Sequence, residues 1–226
     1  MKLIAIEMGR VAQAFVPDEV RPAKGVYVAE ATRLISERYG FGVVSSVAES
    51  IEKGAKFNQG RLVAGNRTVN ISELAVYNDG VSVTTTLNTD DAEFVLQDFF
   101  AWAKQAFGRR DPITRRVKIY ESQLIIDFDS AIDDALQIFS AVGSELQHAL
   151  KETYNNDRPV EFSRISFSTD PVGALPDFNL IKQELFIERR IGIPYSQNRY
   201  FSSCGLTTDS HTRLLEKFEA ALKGKK

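Results

Sequence analysis

Apolar residues recur at helical spacing in four stretches of the chain. Over 24–39, Tyr27, Val28, Ala31, Leu34, Ile35 and Tyr39 fall on one side, and Gly40 supplies a stop. Over 89–107, Val95, Leu96, Phe99, Phe100, Ala103 and Phe107 form a stripe that Phe94, Trp102 and Ala106 widen. Asn88-Thr89 opens that segment and Gly108 closes it. The longest stretch, 130–152, carries Ile132, Ala135, Leu136, Phe139, Val142, Leu146 and Leu150. The last, 208–222, carries Leu214, Leu215, Phe218, Ala221 and Leu222. Each predicts an amphipathic helix with one face on a core.

Between these lie strand patterns. Residues 3–8 and 11–16 are apolar and β-branched, and 117–127 alternates through Val117, Ile119, Leu124 and Ile126. Residues 69–77 and 81–87 flank Asn78-Asp79-Gly80, whose Asp-Gly predicts a hairpin turn. Residues 162–168 and 178–190 read as two strands joined by a loop with Pro171, Gly173 and Pro176, and 200–203 as a last one. Shorter candidates are 41–46 and 57–63, in a stretch that Gly54, Gly60 and Gly65 make loop-rich.

Helices do not alternate with single strands, which excludes a doubly wound parallel sheet. The order predicts an α+β protein, an antiparallel sheet with helices on one face. It also hints at a repeat. Leu87-Asn88-Thr89-Asp90 opens one helix and Leu206-Thr207-Thr208-Asp209 another, and at the same offset Val95, Leu96 and Phe99 fall on Leu214, Leu215 and Phe218. Two halves, 1–110 and 111–226, would each run strand, helix, strands, helix, within what can still be one continuous domain. As topology, this order resembles the saddle of TATA-binding-protein-like domains, and the resemblance implies a shared architecture only.

At 226 residues, 43% hydrophobic and 26% charged, the chain has an ordinary globular composition and length enough to hold a core without a metal or disulfide. A net charge of -2 excludes coating nucleic acid by bulk charge. The single cysteine, Cys204, allows no intrachain disulfide and fits a reducing compartment, so the expected location is cytoplasmic. No long uncharged apolar window occurs, and no membrane partner is expected.

Candidate chemistry begins at Leu124-Ile-Ile-Asp-Phe-Asp-Ser-Ala-Ile-Asp-Asp-Ala-Leu-Gln-Ile138, an apolar strand running into D-x-D-x-x-x-D-D and a helix. It resembles the aspartate-rich signature of nucleoside hydrolases. That resemblance implies Asp127, Asp129 and Asp134 as ligands of Ca²⁺ or Mg²⁺ that position an attacking water. On their own, the residues also read as a helix start: Asp129 or Ser130 as cap, Asp133 and Asp134 as first-turn acids. A thiolate–imidazole pair, Cys204 with His211, is a second catalytic candidate, while His148 lies on the polar edge of its helix.

Cations gather around predicted strands: Arg115, Arg116 and Lys118, then Arg189, Arg190 and Arg199. On an open sheet face they would hold an anion or a nucleic-acid backbone; as strand-end charges they would guard edges against aggregation. Arg189 and Arg190 are successive residues of a strand and should point to opposite faces. The expectation is a non-catalytic interaction or ligand-binding protein without a resident cofactor. It would be homo-oligomeric, a homodimer, with a protein partner or itself. The alternatives are a nucleic-acid-binding module and a metal-dependent hydrolase.

Overall fold

The computed structural model describes residues 1–16, 27–46, 54–108, 117–129, 132, 140–160, 162–169 and 184–224. The elements run β1 (Lys2–Ala14), α1 (Val28–Tyr39), β2 (Val43–Val44), β3 (Ala55–Ala64), β4 (Arg67–Val76), β5 (Gly80–Thr85), α2 (Thr89–Phe107), β6 (Val117–Asp127), α3 (Ser140–Tyr154), β7 (Arg164–Ser168), β8 (Glu184–Arg189), β9 (Arg199–Cys204) and α4 (Thr208–Lys223). All strands join one antiparallel sheet of nine, ordered β2-β3-β4-β5-β1-β6-β9-β8-β7. The fold is α+β, as the element order requires.

Several boundaries differ from the pattern. The two apolar runs at the N-terminus are one continuous strand, because β1 is held on both sides, by β5 and β6. Register shifts near Leu3–Ala5 and Ile6–Met8 bend it without ending it. The loop-rich stretch at 57–63 is a full strand, β3, and 41–46 shrinks to the two residues of β2. The tightest hairpin joins β3 to β4 through Gly65-Asn66, with Gly65 at φ 59, where a Cβ is costly. The Asp79-Gly80 turn is looser: Tyr77 N–H bonds Gly80 O at 2.8 Å, and Gly80 already belongs to β5. Residues 24–26, 130–131, 133–139 and 178–183 of the predicted elements lie outside the described residues.

Helices α1, α2 and α4 pack on one face. Tyr39 of α1 meets Trp102 of α2 edge-on, and Asp98 of α2 accepts from both Tyr39 and Arg38 of α1 at 2.8 Å. Beneath them Val11, Phe57, Ile71, Leu74, Val83, Leu96 and Phe99 form the larger apolar core. A smaller core joins Leu124, Ile126, Phe128, Ile132, Ile187 and Tyr200 to Leu215 of α4. The side of α3 predicted to be apolar is not packed in the same way: Val142 is 66% exposed and Leu146 49%.

A buried polar seam lies where the two helix starts meet. Asn88 caps α2 by accepting from Asp91 N–H at 2.8 Å, and Thr207 caps α4 by accepting from Ser210 N–H at 3.3 Å. The next residues cap each other: Thr89 N–H donates to Thr208 Oγ1, and Thr208 N–H to Thr89 Oγ1, both at 3.0 Å. These bonds satisfy amides that a helix start leaves unpaired. Gly9 of β1 makes room for the approach, since a Cβ there would lie 2.4 Å from the Asn88 carbonyl carbon. In the sheet β1 and β6 lie side by side, β5 and β9 flank them, and each flanking strand leads into one of the meeting helices.

Candidate ligand site on the far face of the sheet

Strand alternation sorts the side chains. On β6, Lys118, Tyr120, Ser122, Leu124 and Ile126 face the helices, and Ile119, Glu121, Gln123, Ile125 and Asp127 face away. Their cross-strand partners extend the far face: Arg10 opposite Glu121, Ala12 opposite Ile119 and Ser82, Ser82 opposite Ala75, Asp127 opposite Arg199.

A cavity of about 220 Å³ opens on this face over β5, β1 and β6. Its floor is formed by two small residues in register, Ser82 of β5 and Ala12 of β1. Ile119 and Ala14 add apolar wall, Arg10 and Glu121 stand on one side, and Tyr77 and Asp79 on the other end. The Arg10–Glu121 pair is loose, 3.8 Å from Nη1 to Oε2, so the guanidinium keeps donors to spare. Ser82 is 2% exposed, and its Oγ has no hydrogen-bond partner. A buried hydroxyl left unpaired costs about 1–3 kcal/mol, so its place beside a cavity is the feature to explain.

The sequence-derived candidates are placed as follows. Arg115, Arg116 and Asp134 lie outside the described residues. Lys118 faces the helices and pairs with Glu93, which also accepts from Tyr120 Oη at 2.9 Å. Burial would raise the Glu93 pKa, but the Lys118 and Tyr120 bonds outweigh it and hold it low. Burial and Glu93 push the Tyr120 phenol up to about 12. Arg189 is 9% exposed and sits on the helix side, donating to the carbonyls of Phe162 (3.3 Å) and Tyr195 (3.2 Å) with its guanidinium over the Tyr195 ring. Arg190 pairs with Glu7 at 2.9 Å. Arg199 grips Asp127 with two bonds, 2.7 and 3.0 Å, and holds that carboxyl below its ordinary pKa. The described members of the set do not converge on one anion.

Asp127 and Asp129 do not converge either. Asp129 meets Lys223 at 2.7 Å and the Met1 ammonium at 3.2 Å, and these two cations depress its pKa. Each carboxylate already has a cation, and among the described residues no three His, Cys, Asp or Glu side chains come together as a metal site.

His211 is fully buried, with Nδ1 2.7 Å from Ser122 Oγ and Nε2 2.9 Å from Ser202 Oγ. Ser202 donates its own proton to Phe186 O at 2.8 Å, so it accepts from Nε2. With the proton on Nε2, Nδ1 accepts from Ser122 and the network is complete. The chain of groups resembles a hydroxyl, base and orienter, but it is sealed: Ser122 and Ser202 are also fully buried, and Cys204 is 6% exposed. His148 pairs with Glu152 on the exposed side of α3 at 3.3 Å.

The hydrophobic pattern does not single out Ser82. Its only local signal is a serine between Val81 and Val83, which reads as ordinary alternation. The hollow lies over small residues of two neighbouring strands, a register that no local pattern reveals. Among the described residues no helix is long and apolar enough to cross a membrane. No protein-family model matches the chain, and no curated protein matches it in sequence.

Proposed function

We propose that the protein is a non-catalytic ligand-binding protein whose binding surface is the far face of the sheet. The observation that carries this reading is the cavity itself, whose lining brings a cation, two acids and apolar wall together over the central strands. Two further features support it. The one serine–histidine chain among the described residues has no path to solvent, and so belongs to the core's polar seam. Three cations of the far face are paired with neighbouring acids, Arg199 with Asp127, Arg164 with Glu184 at 2.8 Å and Lys56 with Glu73 at 4.0 Å, while Arg10 is held only loosely by Glu121, which favours a small ligand over a polyanion.

Titration with fluorescein-labelled single-stranded and duplex oligonucleotides separates this reading from the nucleic-acid one. At low salt we expect no saturable binding, because displacing paired acids offsets the gain from phosphate contacts. Binding whose log K falls steeply with log salt, and which Arg199→Ala weakens with a shallower slope, would overturn the proposal in favour of a polyanion surface.

A further inference from the structure

Resting on the far-face reading, we infer that the cavity over Ser82 takes a small zwitterion, a molecule of the class of a free α-amino acid with a short aliphatic side chain. The charges at its mouth decide the class. Arg10 offers a cation, while Glu121 and Asp79 offer two acids, so the rim is net negative. A simple anion would gain Arg10 but meet both carboxylates. A simple cation would gain the acids but leave the loosened Arg10 guanidinium unanswered. A molecule with both charges answers the loose pair at one end of the cavity: its carboxylate on Arg10, its ammonium on Glu121.

Size and polarity agree. A cavity of about 220 Å³ holds the equivalent of roughly seven waters, room for a small organic molecule and too little for a nucleotide. Ala12, Ala14 and Ile119 line it with short aliphatic surface, matched to a branched alkyl group.

The test uses the full chain, ¹⁵N-labelled, titrated to 10 mM with three probes of one carbon skeleton: L-valine, isobutylamine and isobutyrate. L-Valine should shift the amide signals of Ser82, Ala12 and Ile119 saturably, and each single-charge analogue should bind at least about fivefold more weakly, one charge-assisted hydrogen bond being worth that much. Arg10→Ala should weaken L-valine by at least a similar factor while leaving isobutylamine no weaker, since it removes the cation that holds the carboxylate. Ala12→Leu, which fills the cavity, should abolish the response.

If isobutylamine or isobutyrate binds as well as L-valine, and Ala12→Leu blocks it, the zwitterion assignment is wrong and the far-face site stands. If L-valine binds unchanged in the Ala12→Leu protein, the ligand sits elsewhere and the far-face reading fails with it. No response to any of the three probes overturns the inference.

Discussion

Replacing His211 with Ala is expected to destabilise the protein by about 3–5 kcal/mol, read as a shift of the urea midpoint at constant slope. The change opens a cavity under α4, takes from the buried Ser122 hydroxyl the acceptor that the imidazole supplies, and removes the bond that Ser202 Oγ accepts while leaving the one it donates to Phe186 O. The cost should come from polarity as much as from volume. A His211→Leu variant combined with Ser122→Ala and Ser202→Ala removes donors and acceptors together, and it should regain more than half of the loss. If His211→Ala costs under about 1 kcal/mol, the seam is not the ordered network described above.

The second large effect concerns Glu219, whose side chain is 7% exposed. It receives the Met1 ammonium at 2.5 Å and the Asp129 N–H at 2.7 Å. Glu219→Gln keeps the shape and removes the charge, so it should cost about 2–3 kcal/mol near pH 6 by leaving the ammonium without its closest partner. The pH dependence has two limbs. Burial would raise the Glu219 pKa, but its bonds to the ammonium and to Asp129 N–H win and lower it. Its stabilisation is therefore present above the ordinary carboxylate value of 4.5 and fades as pH falls through the depressed one. The Met1 ammonium is raised, chiefly by Glu219, so its contribution is present below its ordinary 8.0 and fades as pH rises through the higher value. Urea midpoints of the native protein should form a plateau between these limits, and Glu219→Gln should flatten both flanks. A variant profile parallel to the native one at every pH would contradict the assignment.

Both positions were half-visible in the chain. His211, Leu215, Phe218 and Leu222 recur at helical spacing, so the histidine belongs to the buried stripe of α4 although it reads as a polar first-turn residue. Glu219 follows Leu215 by four and lies on the same side, but an acid among apolar positions carries no sign of the partner that neutralises it. Here that partner is at the other end of the chain. The element order was legible because three of the four amphipathic stripes and most strands are long and well punctuated. Strand 57–63 was blurred by Gly60, which sits in β3 because the Phe41 ring occupies the space a Cβ would take, 2.2 Å from it. The basic cluster was legible as composition and misleading as geometry: β8 ends at Arg189, which turns to the carbonyls of Phe162 and Tyr195 while Arg190 beyond the strand pairs with Glu7, and Arg199 and Lys118 face opposite sides of the sheet, each held by an acid.

The cavity over Ser82 was not legible at all, and the account depends on it most. A crystal structure of the full ligand-free chain is the most direct test. The account predicts an open hollow over β5, β1 and β6 that holds ordered solvent or a retained small molecule above Ser82 and Ala12, with Arg10 and Glu121 on its rim. A hollow closed by the chain's own side chains, with Ser82 Oγ bonded internally, would contradict it.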